Sequence, residues 1–406
     1  MAACPYDAIF INPEDHSAEK CNFCAHRLDI GLEPACVTVC PTGAILVGDM
    51  NDPSSAVSKI VHREPVTVRR VEKETKPGVF YKGAHHYTLD PLSARRPDGG
   101  LFAWATQGHT SERLVVSGHP GRSNSSAAAL LSYDVPHRAP WGWRVSLYTF
   151  TKSVSSGIFL VPLLLVLTGY LSWQNSLARW IAPILSLAFL GITGVLLIWD
   201  LKHPTRFYLI FTKHRWSSWL VRGSFIIGAF GGVVTLYLLG SIVGSVGLRE
   251  FTTGAAIPLA IGTACYTAFL FAQAKARDLW QSPLLAPHLA VQTVLAGAGT
   301  ALPFAEWLSP YRTVHAIEIL LCASAVIHLL MVLGESTLTH PTAHAHLAVK
   351  EMTSGTYSFV FWVAVVLVAI SVGAPWIGVV ATPAALLGLL AHEHSYVQAG
   401  QTVPLA

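Results

Sequence analysis

The sequence predicts a chain of two unlike parts: a small α+β segment at the start, then an all-α polytopic membrane domain of about eight spans. Three observations lead there. Only 12% of the 406 residues are charged and the mean hydropathy is positive, well below the roughly 25% charged residues of a typical soluble domain. Five of the 7 cysteines crowd into residues 4–40. From about residue 145 onward there is a series of apolar runs separated by short polar turns. The net charge of +4 is too small to suggest a nucleic-acid partner.

The first part, residues 1–83, is polar and carries the spacing C-x2-C-x11-C-x3-C-P through Cys21, Cys24, Cys36 and Cys40, preceded by a separate Cys4-Pro5. Soft thiolates in such runs, the last followed by proline, suit an iron–sulfur cluster. His16 and His26 keep zinc open as an alternative, and disulfides are the third reading. The phrases ACPYDAI and VCPTGAI repeat Cys-Pro-x2-Ala-Ile, and each can lead into a strand as the two halves of a ferredoxin do. Cys265 and Cys322 lie in apolar runs and read as small buried hydrophobes. Residues 84–140, rich in Gly, Ser, Pro, His and Arg, read as a linker.

The membrane part is expected over 141–396, with a tail at 397–406. Its spans are placed at about 153–173, 180–200, 219–244, 255–274, 285–305, 313–334, 357–372 and 376–392, the fifth being the least apolar. Lipid satisfies no backbone amide, so these are helices. Trp141, Trp143, Trp173, Trp180, Trp199, Trp216, Trp219, Trp280, Trp307 and Trp376 flank their ends as interfacial anchors. Eight spans return the chain to its starting side. Loops on that side carry Arg144, Lys152, Lys202, Arg206, Lys213, Arg215, Lys275, Arg277 and Lys350, against Arg179, Arg249 and Arg312 opposite. By the positive-inside rule the cysteine segment is then cytoplasmic, on a bacterial inner membrane.

On these motifs, residues 4–82 resemble the C-terminal part of the four-cluster iron–sulfur electron-transfer subunits of molybdopterin oxidoreductases. Residues 143–395 resemble the NrfD/PsrC-like membrane subunits of the same complexes, on the order Asp-Leu-x2-Pro-x-Arg-Phe, Ser-Trp and Arg-Gly between 200 and 223, and on YTFTKSVSSGIFL and THPTAHAHLAVKEMTSGTYSFVFW. The resemblance implies 4Fe-4S clusters on Cys4, Cys21, Cys24, Cys36 and Cys40. In that family the first cysteine run pairs with the fourth and the second with the third. By that rule Cys21, Cys24 and Cys36 lack a fourth ligand, Cys4 ends a third run, and no cluster is complete on these residues. The expectation is that coding sequence precedes Met1. The rival is an anchor with a degenerate, cluster-free ferredoxin remnant.

The resemblance also implies a menaquinone or ubiquinone in the bilayer, a molybdopterin-containing catalytic subunit, and room for a further iron–sulfur or cytochrome subunit. A quinone needs an apolar slot, a donor to each carbonyl and a proton route. Polar residues near cysteine-side helix ends meet that need: Tyr148, Lys152, Asp200, Arg206, Arg222 and Tyr357. The 200–222 stretch also reads simply as a basic hairpin. In span six, His315 and Glu318 share a face, whereas His328 lies about 220° around the helix from His315. Glu318 and His328 are candidates for a proton path, with an interhelical hydrogen bond as the plainer reading. The b-haem cytochrome is the lesser alternative, because the family usually lacks haem. An ion-translocating transporter would show paired broken helices, for which only the Gly and Pro of span five hint.

Overall fold

The computed structural model describes residues 6, 8–11, 18–89, 141–275, 277–340 and 342–402. Cys4 and most of the expected linker lie outside these. The chain divides into two compact units, Met1–Arg138 with Pro404–Ala406, and Ala139–Val403.

The first unit is built of short elements. Strands β1 (Ile9–Ile11) and β2 (Ala18–Lys20) pair antiparallel, Ile9 opposite Lys20. Helices α1 (Ala25–Leu28), α2 (Ala35–Val39), α3 (Ala56–Arg63) and α4 (His86–Leu89) follow. The first Cys-Pro phrase leads into β1. The second does not lead into a strand: after the turn at Pro41–Gly43, Ile45 and Leu46 are exposed and no described backbone pairs with them. Extended backbone needs a ladder partner to become a strand.

The second unit is a helical bundle. Its long members are α5 (Trp143–Leu167), α6 (Ala182–Asp200, entered through a wide turn at Leu177–Ile181), α7 (Trp219–Ile242), α8 (Val246–Ala272), α9 (Leu285–Leu308) and α10 (Tyr311–Thr337). Then come α11 (Ala343–Thr353), α12 (Ser358–Ser371) and α13 (Ala381–Thr402). Among the described residues, seven spans are long and apolar enough to cross a membrane alone, and α11 with α12 form a pair bent by 70°. At 14 residues, α12 rises about 21 Å, short of a roughly 30 Å hydrocarbon core.

Hydrogen bonds define two ends. At the near end the Trp141 amide donates to Gln401 Oε1 at 2.9 Å, joining the start of the bundle to its finish, and the Trp219 amide donates to Gln273 Oε1 at 2.9 Å. At the far end Asn175 Nδ2 donates to the Leu308 carbonyl at 2.8 Å and Arg179 Nη2 to the Ser241 carbonyl at 2.9 Å. A path that starts and ends together crosses an even number of times, so the bent pair completes an eighth crossing.

Three expected boundaries change. The first span begins at Trp143, not 153, so Lys152 is a helix residue and leaves the loop count. The fourth begins at Val246, so Arg249 is likewise inside a helix, and fully buried. Residues 397–402, expected in a tail, continue α13. Gln401 Nε2 donates to the Trp141 carbonyl at 2.8 Å, and a Cβ at Gly400 would meet Trp280 Nε1 at 2.2 Å.

The helices with the weakest lipid-facing character are the inner ones. The apolar windows of α5 and α9 are 83% and 67% buried within the protein, against 28% for α7. Both carry small and polar residues throughout. They meet where Gly157 faces Gly297: a Cβ on Gly157 would lie 2.1 Å from the Thr293 carbonyl oxygen. Small residues let membrane helices approach backbone to backbone.

Candidate functional site

In the first unit the four described cysteines of the cluster region, Cys21, Cys24, Cys36 and Cys40, are free thiols, so none is tied in a disulfide with another. The loop between the first two turns sharply: Phe23 and Cys24 hold φ of 58 and 53, and the Cys24 amide donates to Asn22 Oδ1 at 2.9 Å. Cys36 rides on α2, and Cys40 follows it. Cys40 is buried, and its Sγ accepts from the Ala44 amide at 3.1 Å. Backbone N–H groups aimed at sulfur stabilise a thiolate, which is what an iron ligand must be. Thiol chemistry, left-handed loop and amide donor together fit an iron–sulfur cluster.

In the bundle, a connected set of polar side chains is buried toward the near end. Lys152 is fully buried on α5. Its Nζ donates to the Ala264 carbonyl and to Thr267 Oγ1, both at 2.7 Å, and lies 5.1 Å from the centre of the Tyr266 ring. Two of the three ammonium donors are thus held by α8. An ammonium at mid-membrane costs about 2.5–3.5 kcal/mol on insertion scales, and hydrogen bonds to a charged group return about 1.5–3 kcal/mol each. Tyr148, one turn earlier on the same face, is buried as well. The Arg-Gly of the sequence motif has a reason here: a Cβ on Gly223 would lie 2.3 Å from the Tyr266 ring, so only glycine lets the ring lie under Lys152.

Beside Lys152 stands Glu393 of α13, buried and within electrostatic reach of Lys152, His288 and Glu335. His288 of α9 bonds through Nε2 to His328 Nδ1 of α10 at 2.9 Å, and through Nδ1 to Glu335 Oε1 at 3.4 Å. His392 packs on both, with ring centres 5.3 and 4.7 Å away.

The candidates from sequence are distributed as follows. Tyr148 and Lys152 are brought together in the core. Asp200 sits half-buried at the end of α6, Arg206 is exposed in the connection that follows, and Arg222 is exposed and donates to the Trp216 carbonyl. Tyr357 lies at the bend between α11 and α12, 6.3 Å from the His394 ring. Glu318 and His328 do not meet: ten residues separate them, about 15 Å along α10. Glu318 pairs with His315 at 3.2 Å toward the far end, whereas His328 belongs to the near-end histidines.

Sequence reasoning missed His288, His392, Glu393, Glu335, Tyr266 and Thr267. They come from four helices, α8, α9, α10 and α13. The available signals were modest: His392 and Tyr396 at i, i+4, His328 and Glu335 at i, i+7, and the low hydropathy of span five.

Comparison with known proteins follows this division. Residues 1–50 match a 4Fe-4S dicluster domain. A tetrathionate reductase subunit from Salmonella typhimurium is 47% identical over 97 residues, 23% of this chain and 39% of that protein. A polysulfide reductase polypeptide from Wolinella succinogenes is 47% identical over 81 residues, 20% of this chain and 42% of its own length. Protein NrfC of Escherichia coli is 40% identical over 81 residues, 20% and 36% respectively. The chain thus spans about two fifths of the curated relatives it matches. Residues 132–403 match the family described as polysulphide reductase, NrfD; that is two thirds of the chain, which belongs to that family.

Proposed function

We propose that this chain carries electrons between a quinol or quinone in the bilayer and the iron–sulfur clusters of an oxidoreductase complex, with a molybdopterin-containing catalytic subunit on a separate chain. The observation that carries the reading is that one chain joins a 4Fe-4S dicluster segment to an NrfD membrane domain. The printed names of its relatives, components of tetrathionate and polysulfide reductases, support a catalytic partner of that kind. When bound, 4Fe-4S clusters accept and donate single electrons.

The quinone end of the reading rests on Tyr148 and Lys152. The ammonium is fixed by two acceptors from α8 and presents a positive charge to a carbonyl oxygen. The Tyr148 hydroxyl is a second donor on the same face. Asp200, at the near-end rim, is the proton acceptor toward water. Without the fully buried Lys152 and Arg249, the remaining cations, in loops or near helix ends, stand eight to two in favour of the near end, which supports a cytoplasmic near end.

The test is quinol-dependent reduction of the iron–sulfur EPR signal in membranes holding the full complex. A menaquinol analogue should reduce the clusters at a rate that Asp200→Asn lowers at least tenfold, with dithionite reduction unchanged. An iron-free chain, or clusters reducible by dithionite and indifferent to quinol, contradicts the proposal.

A further inference from the structure

The three buried histidines carry an inference that stands apart from the quinone reading. His288, His328 and His392 are 1%, 1% and 2% exposed, come from α9, α10 and α13, and each offers a ring nitrogen within 4.8 Å of the others. We propose that they bind one divalent transition-metal ion of the zinc class.

Four observations support this. Neutral imidazole suits zinc, copper and nickel, and three histidines with one open position are an established zinc arrangement. Tetrahedral zinc with Zn–N near 2.05 Å sets its nitrogens roughly 3.3 Å apart. The nitrogens here lie 2.9 Å apart for His288 and His328 and within 4.8 Å for the set, so small ring movements close the site. Glu335 Oε1 accepts a hydrogen bond from His288 Nδ1 at 3.4 Å. That leaves the Nε2 lone pair facing the other rings, the carboxylate–histidine–metal arrangement that orients ligands. Finally, Glu335 and Glu393 are 7% and 3% exposed, and each has one oxygen, Oε2 and Oε1, with no hydrogen-bond partner among the described residues. Two buried carboxylates beside three neutral rings need positive charge. Lys152 supplies one unit and leaves one negative charge for a bound cation to offset. The assignment moves His328 from a proton path to a ligand set.

The experiment is metal analysis of the full chain, purified from membranes in detergent, incubated with Zn2+ and washed with a weak chelator. Iron is counted separately, because the cysteine segment binds it. The expected result is about one zinc per chain, lost at least tenfold in His328→Gln and in His392→Gln and retained in Cys21→Ser. Glu335→Gln should weaken zinc binding about tenfold. Because a histidine variant can fail to fold, the unaltered chain is also loaded with Co2+. Visible bands of four-coordinate cobalt are expected. Background zinc in the unaltered chain, zinc retained in the variants, or no cobalt bands overturns the proposal and leaves a hydrogen-bonded histidine cluster only.

Discussion

The two ends of the bundle hold their charged and polar side chains in different ways. At the far end, charged and polar side chains bond mainly to backbone. Arg249 Nη1 donates to the Trp173 carbonyl, and Arg179 to that of Ser241. Thr313 Oγ1 donates to the Tyr170 carbonyl at 2.6 Å, and Glu306 Oε1 accepts from the Val379 amide at 3.1 Å. These are clamps on loops: they satisfy helix-end groups that lipid cannot. At the near end, side chains face one another. Lys152, Tyr266, Thr267, Glu393, His288, His328, His392 and Glu335 come from five helices, and several of their atoms have no backbone partner. A clamp contributes stability wherever it sits. Titratable groups gathered in the core are expensive, and in a membrane that cost usually accompanies function.

That contrast can be broken by substitutions, and the largest effect belongs to neither end. Gly157→Leu drives a side chain into the backbone of α9 at the middle of the two inner helices. It should exceed the roughly 1–3 kcal/mol of ordinary overpacking and leave little folded protein, measured by monodisperse yield in detergent. Near-normal yield would show that α5 and α9 do not meet as described.

Gly223→Ala is the next in size and sharpens the near-end account. The added methyl meets the Tyr266 ring, which must tilt and take the platform under Lys152 with it. Quinol-linked electron transfer should fall about tenfold, while the yield and the dithionite-reducible EPR signal change little. A proportional loss of both would make Gly223 a packing residue only.

Glu306→Ala tests the far end. It frees the Val379 amide and the turn at Gly378, whose φ of 55 suits only glycine comfortably. The expected cost is about 1 kcal/mol, read as a drop of roughly 2–4 °C in Tm, with quinol kinetics unchanged. A kinetic effect larger than the thermal one would place function at the far end too.

What could be read in advance follows the same divide. The apolar helices and the 4Fe-4S segment were legible because each depends on local composition or spacing. A lysine beside an apolar run stands out even in one helix, but the burial of Lys152 and Tyr148 on α5 was not legible, because the sequence reading counted Lys152 among the loop cations. The ten-residue error at the start of α5 came from reading its polar residues as a membrane boundary. Ser146, Thr149, Thr151, Lys152, Ser153, Ser155 and Ser156 are all buried because α5 is enclosed by protein, not lipid. The histidine cluster was not legible: His288 bonds to partners 40 and 47 residues away, His392 meets the other two rings only by packing, and only the packing of α9, α10 and α13 assembles them.

The central claim is that quinone chemistry takes place at the near end, on Lys152. Its most direct test is stopped-flow reduction of the clusters by a menaquinol analogue in the full complex, comparing the unaltered protein with Lys152→Met. The account predicts at least a hundredfold slower reduction in the variant, about 2.7 kcal/mol in barrier, with dithionite giving the same final EPR signal in both. Reduction of the variant at the unaltered rate would contradict it.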